Sequence, residues 1–374
     1  MIMRVKKIFI TTTYDCNLRC KYCFEHNKTR KHMDVNRMRE ILHNEFYGVD
    51  KYDIYSITLH GGEPFLAFKE IKELCEWTWT NYSDYNILYT ATTNGTITND
   101  EIKEWLSKNK KRFRIILSID GIKEHHNINR GDSFDKIDFE FFLSTYNRPW
   151  VKMTVNPNTI DHMYENFLYL QQMGFNTNPT LACETNWEEK RDLEKIKKEL
   201  YKLVQYYISN PSENPKDLLS LPIEKMITQR DRFATRCSLS NGCVAFDVQG
   251  NRYPCQNFIA DFSIPYNADG INECFEKIAQ NDYRAITATC VDCVIKEICS
   301  PCYGLNYSNR GAMGNIDKIW CSITKILVYF NAYLTAKALP KSEQYVWLKD
   351  KSINELSSLS LAVKRIINMA DQLL

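Results

Sequence analysis

Cys16-Asn-Leu-Arg-Cys20-Lys-Tyr-Cys23 sets three thiols at intervals of three and then two intervening residues, directly after the strand-like run Lys6-Lys-Ile-Phe-Ile-Thr-Thr-Thr13. Thiolates are the natural ligands of iron–sulfur clusters, and a cubane of four irons normally takes four of them. Three ligands leave one iron open. An open iron can chelate a small molecule through its amino and carboxylate groups, which a fully ligated electron-carrier cluster cannot do. The plain alternatives are a zinc knuckle or three buried thiols, but structural zinc usually takes two close pairs and four ligands in all.

Working outward, residues 6–183 alternate short β-branched and aromatic runs with helical segments, the pattern of parallel strands joined by crossover helices. Strands are expected over Lys6–Thr13, Ile54–His60, Asn86–Thr92, Arg114–Ile119, Val151–Val155 and Asn178–Ala182. Helices are expected over Val35–Tyr47, Lys69–Asn81, Asp100–Lys108, Asp135–Tyr146 and Met163–Met173. Six strands so connected make an α/β fold, a partial (β/α)6 TIM-like barrel with its site at the C-terminal strand ends. The distinctive residues fall at those ends. The cysteine triplet lies in a loop of about twenty residues, long enough to be functional. Gly61-Gly62-Glu63-Pro64 follows the second strand, Thr93-Asn94-Gly95 the third, and Ser118-Ile-Asp-Gly121 ends the fourth. Two glycines let backbone approach a ligand closely, and Glu63 offers an acceptor.

The chain has 374 residues and a net charge of +2, so it is large enough for several units and carries no electrostatic footprint for nucleic acid. The basic runs Lys28–Lys31 and Lys108–Arg114 read as solvated loops or helix ends. Met1-Ile-Met-Arg-Val-Lys-Lys lacks an apolar signal core, and the apolar stretch Ile323–Leu339 is interrupted by Lys325, Asn331 and Lys337. No membrane span is expected, and the chain is read as cytoplasmic. Disulfides rarely survive there, so its 14 cysteines point to metal.

The second half is denser in thiols: Cys237, Cys243, Cys255, Cys290, Cys293, Cys299, Cys302 and Cys321, enough for two four-thiolate sites. A hairpin with its turn at Gly250 is expected between Cys243 and Cys255. Zinc suits the paired spacing of Cys290 to Cys302 equally well. Cys75 and Cys274 read as packing residues, and Cys183 ends the sixth strand.

The order of cysteine triplet, Gly-Gly-Glu-Pro, Thr-Asn-Gly and Ser-Ile-Asp-Gly resembles the radical S-adenosylmethionine (SAM) barrel. Cys237, Gly250, Cys255 and the later cysteines are similar to the SPASM extension of family members that modify peptides and proteins. The resemblance implies that Gly61, Gly62, Glu63 and Pro64 hold the SAM amino group. It sets Tyr22 and Asn94 along the nucleoside, and Ser118, Arg130 and Asn156 near ribose or carboxylate. It implies three [4Fe-4S] clusters: one on Cys16, Cys20 and Cys23, an inner auxiliary cluster on Cys237, Cys243, Cys255 and Cys302, and an outer one on Cys290, Cys293, Cys299 and Cys321. One departure is visible, since only two residues separate Cys299 from Cys302 where the family commonly has three. Four parts follow: a barrel over 1–183, a helical linker over 184–236, a SPASM auxiliary-cluster domain over 237–322, and C-terminal helices over 323–374.

By the same resemblance, the chain cleaves SAM reductively to a 5′-deoxyadenosyl radical, which takes hydrogen from a substrate carbon. The candidate substrate is a residue of a ribosomally made peptide, modified oxidatively by crosslinking or another side-chain change. Electrons would come from an external donor such as flavodoxin or ferredoxin. Only 15 residues precede Cys16, so leader recognition, if needed, is expected from the chain's own surfaces or a separate leader-binding protein. Anaerobic sulfatase-maturing enzymes, which make formylglycine, are the alternative. There an aspartate base follows the third inner cysteine, whereas here Gln256 does, and a carboxamide takes no proton at neutral pH. Asp247, Glu184 and Tyr303 are substitute base candidates. A non-catalytic metal-binding scaffold is the third reading.

Overall fold

The structure, a computed structural model, describes residues 3–23, 25, 28–48, 51–183, 185–229, 242–259, 269–273, 288–299 and 301–374. Cys237, Cys274 and Glu184 lie outside the described residues. The chain divides into two compact units.

The first unit comprises Met1–Thr154, Tyr169–Thr177 and Ser238–Tyr266. The strands of the sheet are β1 (Val5–Thr13), β2 (Ile54–Gly61), β3 (Ile87–Thr93), β4 (Phe113–Ser118), β5 (Trp150–Val155), β6 (Asn176–Leu181), β7 (Cys243–Phe246) and β8 (Arg252–Tyr253), of which Val155 and Asn178–Leu181 are assigned to the second unit. They lie in the order β6-β5-β4-β3-β2-β1-β7-β8, an open sheet without closure. Neighbours from β1 to β5 pair in parallel. The strands are runs of β-branched and aromatic residues because a parallel sheet is covered on both faces. Ile8, Ile10, Ile57, Leu59, Tyr89, Ala91 and Leu117 are all fully buried. Architecture and strand positions are those expected of a partial barrel, with ends shifted by a residue or two.

Helix α1 (Val35–Phe46) starts where the Asp34 carboxylate accepts from the amides of Asn36 and Arg37. It buries Met38, Ile41, Leu42 and Phe46, an i, i+3, i+4, i+8 stripe. Helix α2 (Phe68–Asn81) buries Cys75 beside Leu74 and Thr78, so that thiol is core, as its sequence setting indicates. Helix α3 (Asp100–Asn109) is capped by Asn99, which accepts from Ile102 N at 2.9 Å.

Two findings differ from expectation. A further helix, α4 (Lys123–Arg130), stands after β4, and its buried residues are His125, His126, Asn129 and Arg130. The helix expected over Asp135–Tyr146 is shorter: α5 is Phe139–Thr145, because Asp138 caps it through Phe141 N at 3.0 Å after a separate turn at Phe134–Lys136. The hairpin of β7 and β8 forms as expected, with Ala245 opposite Tyr253. In addition β7 runs parallel to β1, Lys7 against Cys243 through Ile10 against Phe246, and so extends the barrel sheet past its first strand.

The second unit comprises Val155–Leu168, Asn178–Cys237 and Asn267–Leu374. Its long helices are Glu189–Ser209, Lys318–Ala338 and Ile353–Ile367, the last with a reciprocal Ser352/Glu355 capping box. Val328 and Ala332 pack into one core with Ile295, Ile298, Leu348, Leu359, Ala362 and Ile366. Asn331, buried in this helix, accepts from Leu221 N at 2.7 Å and donates to Leu218 O at 2.8 Å, so the polar break in the apolar stretch is a packing anchor. Among the described residues no helix is long and apolar enough to cross a membrane.

Candidate functional site

The loop between β1 and α1 is fastened at both ends. Tyr14 N and Thr13 Oγ1 each donate to Lys31 O at 3.0 Å, and Met33 N donates to Thr12 O at 2.9 Å. Between these ties, Cys23 N donates to Cys20 O at 3.2 Å and Leu18 N to the Cys16 sulfur at 3.4 Å. Burial pushes the thiols of Cys16 and Cys20 up; the field of Arg130 opposes this at Cys20, and that of Lys28 at both. Cys20 also feels the charge of Cys23, and Cys16 that of Cys20.

The Gly61-Gly62 pair is explained by the crossing of two backbones. A Cβ on Gly61, whose φ is +140°, would sit 2.0 Å from Thr13 O, and one on Gly62 would sit 2.1 Å from Asp15 O. That contact lets Gly62 N donate to Thr13 O at 2.9 Å and Glu63 N to Asp15 O at 2.8 Å. Gly62→Ala must open this seam, at a cost of about 3 kcal/mol from overpacking and lost hydrogen bonds. The expected result is a lower urea midpoint together with poorer retention of iron by the loop. An unchanged midpoint would show that the seam is not closed in solution.

The Glu63 carboxylate is buried and accepts from Thr93 Oγ1 (2.7 Å), Asn94 N (2.8 Å) and Phe65 N (3.1 Å). Burial raises its pKa, and these donors oppose the rise. With its oxygens so engaged, Glu63 braces the strand ends, and the acceptors this segment offers an amino group are main-chain carbonyls. Asn94 donates to Asn17 Oδ1 at 2.8 Å, tying the third strand end to the cysteine loop.

Asp120, in the Ser-Ile-Asp-Gly turn, is the hub that the sequence reading passed over. One oxygen accepts from Arg130 Nη2 (3.2 Å) and Thr154 N (3.0 Å). The other accepts from the Tyr22 hydroxyl (2.6 Å) and Asn129 Nδ2 (3.1 Å), and pairs with Arg130 Nε at 3.1 Å. Arg130 is therefore no surface cation: its guanidinium lies 5.3 Å from the Tyr22 ring centre and reaches the Cys20 sulfur at 3.9 Å. Burial alone would lower its pKa, but Asp120 above all lifts it, so it stays charged. Lys21 N donates to Asn129 O at 2.9 Å, fixing the cysteine loop to α4 a second time. His126 donates or accepts at Ser133 Oγ (3.0 Å) and faces Asp120 N (3.3 Å); burial presses its pKa down to about 4, so it is neutral at pH 7. Ser118 is buried at the end of β4.

The other expected residues have these settings. Asn156, in the second unit, closes its own turn by accepting from Asn158 N at 3.0 Å. In the first unit, Cys243 opens β7 and Cys255 follows β8; continuing the hairpin register sets them opposite each other. Asp247 is buried and accepts from Asn251 N (2.8 Å), Asn251 Nδ2 (2.9 Å) and the Tyr253 hydroxyl (3.0 Å), which makes it the hairpin's own brace. The Gln256 amide oxygen is buried without a hydrogen-bond partner among the described residues. In the second unit, burial and then Cys293, Cys321 and Cys290 push the Cys299 thiol up to about 12, so these four thiols share one neighbourhood. Cys302 precedes the helix Tyr303–Arg310, in which Tyr303 is buried. Cys183 is exposed.

Three soft sulfurs on one loop, with the charge of Lys28 acting on Cys16 and Cys20 and that of Arg130 on Cys20, suit an iron–sulfur cluster better than a closed zinc site, which needs a fourth ligand. The pair Gly61-Gly62 and the tied-down Asn94 border the same loop.

Comparison with known proteins agrees. Residues 10–139 match the model of the radical SAM superfamily. A cysteine-type anaerobic sulfatase-maturating enzyme of Clostridium perfringens is 27% identical over 279 residues, 66% of this chain and 72% of that protein. The radical SAM cyclopropyl synthase TigE of Paramaledivibacter caminithermalis is 21% identical over 354 residues, 87% of this chain and 73% of its own. Among solved structures, anSMEcpe with bound AdoMet and the Cp18Cys peptide superposes with a TM-score of 0.64 at 22% identity, covering 90% of this chain and 97% of that one. Streptococcus suis SuiB bound to its precursor peptide SuiA gives 0.56 at 16% identity, covering 84% and 75%. The chain thus carries a radical SAM domain over residues 10–139.

Proposed function

We propose that the chain modifies a side chain of a ribosomally made peptide by radical SAM chemistry, forming a crosslink or another oxidised product. The carrying observation is the Cys16/Cys20/Cys23 loop locked to the Gly61-Gly62 seam, Asn94 and the Asp120–Arg130 pair. Cys16, Cys20 and Cys23 would hold a [4Fe-4S] cluster, which with SAM supplies a 5′-deoxyadenosyl radical. The chain's own part is positional. Main-chain carbonyls at Gly61–Glu63 receive the SAM amino group, Asn94 and Tyr22 flank the nucleoside, and Ser118 with Arg130 meets ribose or carboxylate. Cys237, Cys243, Cys255 and Cys302 would hold an inner auxiliary cluster, and Cys290, Cys293, Cys299 and Cys321 an outer one. The functional division is a barrel over 1–183, a linker over 184–236, an auxiliary-cluster region over 237–322 and helices over 323–374.

The likeness to SuiB with its precursor peptide supports a peptide substrate. The Clostridium perfringens relative favours a second reading, formylglycine formation. Gln256 weighs against it, since a carboxamide cannot serve as the base, and Asp247 is committed to its hairpin.

Anaerobic reconstitution tests the proposal. About twelve irons per chain and 5′-deoxyadenosine on reduction with SAM are expected, and a product two hydrogens lighter with a new intrapeptide link. An aldehyde at cysteine or serine would move the function to sulfatase maturation. Zinc with no 5′-deoxyadenosine would leave only a scaffold.

A further inference from the structure

Strand β2 turns one face to the helices: Tyr55, Ile57 and Leu59 are buried, and the Tyr55 ring meets Phe46 of α1 edge-on with centroids 5.0 Å apart. Tyr89 of β3 does the same, its hydroxyl donating to Thr78 Oγ1 of α2 at 2.8 Å. Alternation and register then set Phe9, Thr11, Thr58, His60, Thr90 and Thr92 on the other, inner face of the partial barrel. Of these six side chains, His60 alone can take up a proton near neutral pH. His60 and Thr11 are register neighbours. His60 Nε2 and Thr11 Oγ1 are both buried without a hydrogen-bond partner among the described residues. The backbone beside them is engaged, with Thr12 Oγ1 donating to His60 O at 3.1 Å, and Phe9 meets the imidazole edge-on at 6.2 Å between ring centres. His126, the other histidine that burial presses to about 4, has the usual partners in Ser133 Oγ and Asp120 N. Folded proteins satisfy nearly all buried polar groups, so two unmatched neighbours on an inner face mark a place where a ligand completes the bonding.

We infer that His60 is the proton acceptor of the oxidative step, with Thr11 as a second polar contact to the peptide. The inference rests on the proposed reading, in which Gly61–Glu63, directly after His60, receive the SAM amino group. A peptide side-chain carbon gives up a hydrogen atom, which ends in 5′-deoxyadenosine, and the carbon radical left behind bonds to a second side chain of the peptide. The adduct then loses one electron to an auxiliary iron–sulfur centre in its oxidised state, which is reduced, and one proton to His60 Nε2. The peptide ends two hydrogens lighter. Burial presses the pKa of His60 down to about 4, so its imidazole is neutral at pH 7 and free to accept. A proton leaving an adduct that has just been oxidised is acidic enough for so weak a base. The rival acceptors are poorer: Gln256 is a carboxamide, and Asp247 already accepts three hydrogen bonds within its hairpin.

The test uses the anaerobically reconstituted holoenzyme with SAM, dithionite and the short peptide encoded nearest its gene, synthesised with deuterated side chains. Wild type should give the lighter peptide and 5′-deoxyadenosine that carries deuterium. His60→Gln keeps a polar side chain that takes no proton at neutral pH. It should form deuterated 5′-deoxyadenosine within about threefold of wild type while the lighter peptide falls about a hundredfold. An undiminished yield of lighter peptide overturns the assignment, as does an equal fall in both products, the mark of a residue that only positions peptide or SAM. A second readout does not depend on turnover. A buried imidazole without a partner weakens the fold, so His60→Leu, of similar size, should raise the urea midpoint. A lowered midpoint would mean that the ring is bonded within the protein, and would overturn the assignment too. A wild-type holoenzyme that forms 5′-deoxyadenosine but no lighter peptide instead defeats the peptide-modifying reading on which the inference rests.

Discussion

Asp120→Asn is expected to destabilise the chain by about 3–5 kcal/mol, the cost of leaving a buried charge without its partner. The Asp120 side chain is fully buried and that of Arg130 is only 8% exposed. An asparagine keeps the shape but loses the negative charge, and it presents an amide donor where Arg130, Asn129 and Thr154 N all donate. The damage should spread to the cysteine loop, because Tyr22 and Lys21 are both fastened through this cluster. Denaturant midpoints measure the stability, and iron retained after reconstitution measures the loop. A double variant, Asp120→Asn/Arg130→Met, separates charge from packing: removing the stranded guanidinium should recover part of the loss. A single variant that loses less than about 1 kcal/mol would mean the pair is open to solvent.

The strands were readable because their burial makes them nearly continuous β-branched runs, and the cysteine triplet because its spacing has few uses. Helix α4 was not. Periodicity detects a helix by its apolar stripe, and α4 turns His125, His126, Asn129 and Arg130 inward, so its buried face is written in polar residues. Asp120 was hidden for a related reason. Aspartate in a Gly-containing turn is ordinary turn chemistry, and only the convergence of β4, α4, β5 and the cysteine loop makes it a hub. The Cys243–Phe246 strand was legible as half a hairpin. Its parallel pairing with β1 joins residues more than two hundred positions apart, which four residues of local pattern cannot encode.

Cys299→Ser should remove one cluster and leave the other chemistry standing. Cys299 is set among Cys290, Cys293 and Cys321, and Ile295 and Ile298, within the same turn, are almost fully buried in the core that holds Val328 and Ala332. Cys321 lies in the first turns of the helix Lys318–Ala338, whose start is capped by Asp317. A metal centre on these four sulfurs would therefore clamp the 290–299 turn to the head of the helix that organises the second unit. Binding that requires the folded arrangement adds to folding stability. Three expectations follow from that linkage. Iron falls from about twelve to about eight per chain. The rise in Tm on reconstitution shrinks, whereas the metal-free Tm shifts only by the few degrees expected of a serine replacing a buried thiol. Formation of 5′-deoxyadenosine persists because Cys16, Cys20 and Cys23 are untouched, while yield of modified peptide collapses with the lost centre. If iron content and the reconstitution-dependent rise in Tm both stay at wild-type values, Cys299 is a core thiol like Cys75, and the outer site must be sought elsewhere.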